Sequence, residues 1–223
     1  MENIEDITTD YQEIELKLRL PEPHIAERIL KDPYLNSLSK EEPRTKSYET
    51  IYYDTKDQDL LREGICYRIR QGTGQYEATI KGKGNSQEGL SQRLEWNRPL
   101  KTNTPSLEDF RDIPLVKDIL EKIGDKKLKP LFSTIFQRQT LELHYEENIV
   151  ELALDMGEIK AGEKTEPICE LELELKKGQV EAVLAIGKKV AQEYNLQPAN
   201  LSKFSRGLIL AGFGKEVEAW DIT

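Results

Sequence analysis

The chain has 223 residues, 37% of them hydrophobic and 33% charged, with a formal net charge of −9. That balance suits one globular domain, expected over residues 1–223, and speaks against a disordered chain, a membrane protein or a general nucleic-acid binder, which needs a basic surface. The first residues, MENIEDITTD, are acidic where a signal peptide is basic, and no apolar run approaches the ~18 residues of a membrane span, so the expected location is cytoplasmic.

Taken in chain order, alternating or apolar stretches predict strands near residues 12–20, 47–54, 64–71, 75–82, 89–97, 131–145, 148–157 and 167–176. Helices are predicted for HIAERILKD after Pro23, for Leu107 to Ile123 behind Pro105 and Ser106, and for VEAVLAIGKKVAQEY after Gly178. A last helix follows Pro198 and Asn200 through LSKFSRGLILAG and stops at Gly212 and Gly214. QGTGQ and KGKGNSQEG supply hairpin turns after the third and fourth strands. The segment 101–114, KTNTPSLEDFRDIP, separates five strands from three, and neither group looks able to close a sheet alone.

Two stretches set the architecture: EIELKLR at 13–19 and ELELELK at 170–176. Period two puts all their charges on one strand face and all their aliphatics on the other, whereas on a helix the acids would scatter. The same reading collects Glu13, Glu15, Lys17 and Arg19 on the first strand, Arg68 and Arg70 on the third, Thr79 and Lys81 on the fourth, and Arg93 and Glu95 on the fifth. Arg138, then Glu151 and Asp155, then Glu170, Glu172 and Glu174 follow. Any one such strand is explained better by a solvated polar face. The full set fits an α+β, mainly β, fold: a closed eight-stranded antiparallel barrel with amphipathic helices on its outside and the charges pointing inward. Ions in a dry interior cost several kcal/mol each, so they must be paired, hydrated or facing a ligand. Carboxylates beside Arg and Lys describe a host for a polyanion and its Mg²⁺ or Mn²⁺.

With only His24, His144, Cys66 and Cys169 available, and none in a supporting motif, a histidine zinc site, a Ser/His/Asp triad or a disulfide framework is not expected.

EIELK at 13–17, YYDT at 52–55, LREGICYRIR at 61–70, ATIKG at 78–82, QRLEW at 92–96, ALDMGEIKAGE at 153–163, EPICELELEL at 166–175 and LSKFSRG at 201–207 together resemble the CYTH superfamily, the triphosphate tunnel metalloenzymes. Within it, EPICELELEL and LFSTIFQR, at 131–138, resemble the bacterial inorganic triphosphatases most. Such proteins often carry a C-terminal CHAD domain, for which this sequence is expected to be too short.

The resemblance implies hydrolysis of inorganic triphosphate to pyrophosphate and phosphate with Mg²⁺ or Mn²⁺. It implies metal ligands among Glu13, Glu15, Asp155, Glu170, Glu172 and Glu174, and a triphosphate grip by Lys17, Arg68, Arg70, Lys81, Arg93, Arg138 and Lys203. Glu170, Glu172 and Lys203 are the expected catalytic groups, with one cation at Glu13 and Glu15 and a second near Glu170 and Glu172. From the residues alone, Lys203 fits an exposed helix lysine equally well. The rivals are a class IV adenylate cyclase or thiamine triphosphatase, for which only Tyr52, Tyr53 and Tyr76 could form an aromatic surface, and a non-catalytic polyanion-binding module. No nucleic-acid or membrane partner is expected.

Overall fold

A computed structural model describes residues 12–72, 74–214 and Val217. The acidic residues 1–10 and Thr73 of the QGTGQ turn lie outside the described residues.

The strands are β1 (Gln12–Arg19), β2 (Arg44–Asp54), β3 (Cys66–Gly72), β4 (Gln75–Gln87), β5 (Leu90–Leu100), β6 (Lys129–Tyr145), β7 (Asn148–Ala161), β8 (Lys164–Lys177) and the short β9 (Gln197–Pro198). The helices are α1 (His24–Leu30), α2 (Pro33–Leu38), α3 (Asp59–Arg62), α4 (Pro114–Ile123), α5 (Val180–Tyr194) and α6 (Lys203–Ala211). Every ladder is antiparallel in the order β5-β4-β3-β2-β6-β7-β8-β1, and pairing of Glu13 with Arg93 returns β1 to β5. The eight strands thus close into a barrel, and β9 adds outside the ring along β1.

The outward faces are aliphatic, and the helices cover them. Leu16, Leu18, Leu152, Leu154, Leu171 and Leu173 form one core with Ile29 of α1, Leu35 of α2 and Val183, Ile186 and Val190 of α5. A second core joins Tyr67, Ile69 and Ile80 to Phe110, Val116 and Ile119. Each such side chain taken from water contributes roughly 1.5–3 kcal/mol, which fixes the strand faces: a one-residue slip would send the leucines inward.

Several elements differ from the sequence reading. The helix expected from Leu107 to Ile123 is a single 3-10 turn at Glu108–Phe110 followed by α4, because Pro114 starts a helix readily at its first position but cannot donate within one. The expected HIAERILKD helix ends at Leu30, and Asp32 then caps the unforeseen α2 by accepting from Tyr34 N at 2.8 Å and Leu35 N at 3.0 Å. The buried carboxylate of Asp54 accepts from Leu60 N at 2.9 Å and Leu61 N at 3.0 Å, nucleating α3, a helix that the sequence reading does not include. β4 continues to Gln87, and a register shift between Lys81 and Gly84 absorbs the glycines. The turn into β5 is only Glu88 and Gly89, both at positive φ.

The last helix is not an outside cover. Phe204 and Leu208 of α6 pack with Tyr52, Cys66, Phe132 and Ile159, whose side chains share the inward strand face, so α6 plugs one end of the barrel. A Cβ at Gly207 would collide with the Phe132 ring, so this glycine lets the plug seat at full depth.

Candidate functional site

Inside the barrel lies a cavity of about 330 Å³. Ser202, Lys203 and Phe204 of the plug line it, as do Arg44, Lys46, Glu77, Asn97, Thr140 and Lys176 from the opposite strand ends. The plugged end and the open mouth follow from the register: Glu170 and Asp155 are paired beside α6, whereas Glu151 and Glu174 are paired four residues nearer the mouth.

At the plugged end, β7 and β8 bring Asp155, Glu170 and Glu172 together, with one oxygen of each lying within 4.8 Å of the others. All three are buried, Asp155 completely at 0% exposure. Lys203 Nζ sits among them, 2.6 Å from Asp155 Oδ2 and 2.8 Å from Glu172 Oε1, and it also donates to Glu170 Oε1. Arg138 makes a two-pronged pair with Asp155, Nε to Oδ1 at 2.7 Å and Nη2 to Oδ2 at 2.6 Å, and reaches Glu172 as well. Lys17 Nζ bridges Glu172 at 2.8 Å and Glu15 at 3.0 Å. Burial alone would raise the Glu172 carboxyl, but Lys17, Lys203 and Arg138 hold it well below its ordinary range. Burial likewise opposes the charge on Lys203, and the three acids outweigh it, raising its pKa.

Lys203 is therefore a buried ion-pair centre and not an exposed helix lysine, the other reading its sequence allowed. Its ammonium marks the point where three carboxylates converge. Oxygen donors of this kind fit Mg²⁺ or Mn²⁺, so the residues present fit a divalent cation.

The six acids expected as metal ligands divide into three groups. Asp155, Glu170 and Glu172 form the cluster. Glu13 and Glu15 lie further along β1: both oxygens of Glu13 accept from Lys81 at 2.8 Å, and Glu15 accepts from Ser91 at 3.3 Å besides its contact with Lys17. Burial first, then the neighbouring Glu15 and Glu95, raise Glu13 to about 7 against the opposing pull of Lys81 and Arg93. Glu174 stands at the mouth, paired with Lys176 at 2.7 Å. Arg19 ends β1 exposed and does not line the cavity: it still pairs with Glu170 of β8, but β1 has left β5 after Leu16 and has β9 on its other side.

The basic groups also differ among themselves. Lys81 pairs with Glu95 at 2.6 Å, and Arg93 has Glu13 at 3.6 Å and Glu15 at 3.9 Å. Arg68 meets Glu95 only at 3.8 Å, and its buried Nε has no hydrogen-bond partner. Arg70 donates to Thr50 at 3.3 Å and lies over the Tyr48 ring at 4.9 Å and the Phe136 ring at 5.7 Å. Among the described residues no carboxylate pairs with it. Burial, with Arg68 and Arg138 nearby, lowers Arg70 to about 10, the mark of a cation lacking a counter-charge.

Sequence reasoning missed Arg206, which holds Glu170, and left Glu95, Lys46 and Arg44 without a role although all three fall on the inward alternation of their strands. Helical spacing was the available signal for Arg206, since it follows Lys203 by three positions and so shares its face. Of the three tyrosines considered for an aromatic surface, Tyr53 and Tyr76 belong to the outer core. Tyr52 lines the cavity but stacks on Phe132 at 4.5 Å.

The CYTH domain model matches residues 11–208. The chain is 33% identical over 201 residues to the inorganic triphosphatase of Haemophilus influenzae, covering 89% of this chain and 55% of that protein, so it spans about half the length of this curated relative. Among solved structures, a candidate adenylyl cyclase from Hippeastrum, described as having a dominant triphosphatase activity, is similar with a TM-score of 0.60 and 22% identity, over 91% of this chain and 95% of that one. A protein of Pyrococcus horikoshii is similar with a TM-score of 0.54 and 18% identity, over 88% and 98% of the two chains. These two likenesses establish the fold.

Proposed function

The chain belongs to the CYTH domain family, and from that premise we propose that it hydrolyses inorganic triphosphate to pyrophosphate and phosphate with the help of Mg²⁺ or Mn²⁺. The observation that carries this reading is the pairing of opposites across one closed-ended cavity: three converging carboxylates on β7 and β8 face a guanidinium, Arg70, that pairs with no carboxylate among the described residues. An anion binder alone gains nothing from acids placed beside its ligand, and a cation site alone gains nothing from an unmatched arginine.

In this reading the triphosphate enters at the mouth and lies along Arg68, Arg70 and Arg138, with Lys81 and Arg93 on the neighbouring wall. Guanidinium forks match phosphate oxygens, and the cavity walls keep water from screening them. Asp155, Glu170 and Glu172 would hold the divalent cation, which supplies Lewis-acid charge at phosphoryl oxygens. Lys203, displaced from the three acids, keeps its ammonium within reach of the substrate because α6 holds it at the plugged end. Lys17 stays between Glu15 and Glu172 and keeps both carboxylates ionised. As the bond to the leaving pyrophosphate lengthens, the arginines neutralise the charge that moves onto it.

Phosphate release from inorganic triphosphate, ATP and thiamine triphosphate, measured side by side with Mg²⁺, with Mn²⁺ and with EDTA, tests the proposal. The inorganic substrate is expected to turn over fastest and only with metal. Equal turnover in EDTA would overturn the cation's role, and preference for either organic triphosphate would overturn the substrate.

A further inference from the structure

Arg206 stands on α6 three residues after Lys203, and all three kinds of nitrogen in its guanidinium are engaged. Nε donates to Glu166 Oε1 at 2.6 Å, Nη1 to Glu170 Oε2 at 3.1 Å, and Nη2 to the Pro167 carbonyl at 2.5 Å. Two of these acceptors belong to the residues four and three positions before Glu170 on β8, so the fork measures Glu170 against its own strand. Glu170 is 2% exposed, and its other oxygen accepts from Lys203. The plug helix therefore grips both oxygens of one carboxylate of the cluster.

We propose that Arg206 is a positioning residue for the cation site: it fixes the rotamer of Glu170 through Oε2 and leaves Oε1 free to exchange Lys203 for a divalent cation. The inference rests on the carboxylate cluster being a cation site, as proposed above. The reason for an arginine here is geometric. A planar fork reaches three acceptors at fixed angles, whereas a lysine offers one rotatable ammonium. Two influences of Arg206 on a bound cation oppose each other. Its positive charge repels the cation, and its hydrogen bonds remove the freedom that Glu170 would have to lose on binding. Outer partners of this kind favour binding on balance, and their removal typically weakens metal affinity by ~10–100-fold.

Titration of the full chain with Mn²⁺ alone, followed by electron paramagnetic resonance of the free ion, separates these effects. Arg206→Gln is expected to weaken Mn²⁺ binding about tenfold, and Arg206→Lys is expected not to restore it. Glu166→Gln, which loosens only the outer arm of the fork, is expected to give a smaller loss in the same direction. Tighter or unchanged binding by Arg206→Gln overturns the proposal, because charge repulsion then outweighs orientation. Full rescue by Arg206→Lys overturns it too, because charge alone then suffices. If Arg206→Gln does not fold, Glu166→Gln decides, and parent affinity in that variant overturns the proposal. A parent chain that binds Mn²⁺ but leaves triphosphate intact sinks the hydrolase reading and not this one. A parent that binds no Mn²⁺ sinks both.

Discussion

On the side of the lumen built from β1, β7, β8 and α6, each carboxylate of the cluster is already matched by Lys17, Arg138, Lys203 or Arg206. On the side built from β2 and β3, the guanidinium of Arg70 has a threonine and two aromatic rings in place of an acid. Both sides bury charge, but they meet its cost differently. On the acidic side every carboxylate of the cluster already has a basic partner, so a cation that enters must displace a resident ammonium. The arginine side keeps net charge in reserve, so an incoming anion relieves a strain already present. If the function proposed above holds, the barrel would take up an anion readily and a cation by exchange.

The sharpest way to break this contrast is at Glu172, which accepts from Lys17, Arg138 and Lys203 at once. Glu172→Gln keeps the size and removes the charge, so the barrel persists while the cluster loses a ligand. Turnover of triphosphate is expected to fall by at least ~100-fold, about 3 kcal/mol in the activation barrier. Triphosphate binding in EDTA is expected to hold or tighten, since one repelling carboxylate is gone. Parent turnover in both Mg²⁺ and Mn²⁺ would make the acidic side structural.

The arginine side should respond in the opposite sense. Arg70→Ala removes a cation that pairs with no carboxylate among the described residues, so we expect the melting temperature to stay level or rise. Triphosphate affinity should weaken by ~10–30-fold, about 2 kcal/mol for a lost charged hydrogen bond. Asp155→Asn gives the comparison: it leaves Arg138 and Lys203 short of a partner, and breaking a buried pair costs about 3–5 kcal/mol of stability. Equal melting temperatures for these two variants would erase the distinction between the sides.

Much of this was legible because strands repeat every two residues. Glu13, Glu15 and Lys17, or Glu170, Glu172 and Glu174, announce a shared face, and the leucines between them announce the other. Alternation says which face a residue takes but not how far along the lumen it lies. That is why six acids stand as candidate metal ligands, with Glu13 and Glu15 assigned a cation apart from Glu170 and Glu172, while the level of Asp155 beside Glu170 and of Glu174 beside Glu151 comes only from the ladder. The plug was illegible for a related reason. Its apolar positions, Phe204 and Leu208, look like any helix stripe, and only the inward placement of Phe132 and Tyr52 shows that the surface they cover is the inside of the barrel. Which charges are matched across strands, and that Arg70 meets no acid among the described residues, depends on registry that the sequence pattern does not carry.

The plug joins the two sides, so its seating offers a milder perturbation. Gly207→Ala forces the Phe132 ring aside, and over-packing a core position of this kind costs about 1–2 kcal/mol, or roughly 2–8 °C in melting temperature. Because Lys203 and Arg206 ride on the same helix, turnover should drop along with stability. A variant that melts earlier but turns over at the parent rate would uncouple the plug from the acidic side.

The smallest expected effect is also the one that locates the boundary between the sides. Glu13 is raised to about 7 by burial and by Glu15 and Glu95, and it sits between Lys81 and Arg93, where acids and bases meet. Because its folded pKa lies above the ordinary 4.5, the folded chain holds a proton there that the unfolded chain has released, so this group's contribution to stability falls as pH rises from about 4.5 to 7. The same proton affects the ligand. Below about 7 Glu13 is neutral and leaves Lys81 freer to meet phosphate; above it the carboxylate returns and repels the anion. Metal-free triphosphate binding, measured by calorimetry in EDTA from pH 8 to pH 6, should therefore strengthen a few-fold as pH falls and take up a proton. Since triphosphate titrates as well, the comparison is with Glu13→Gln, which is neutral throughout and should bind at pH 8 as the parent does near pH 6, with a flatter profile. Parallel profiles for parent and variant would mean that Glu13 stays ionised beside Lys81, and the boundary would then lie nearer the mouth.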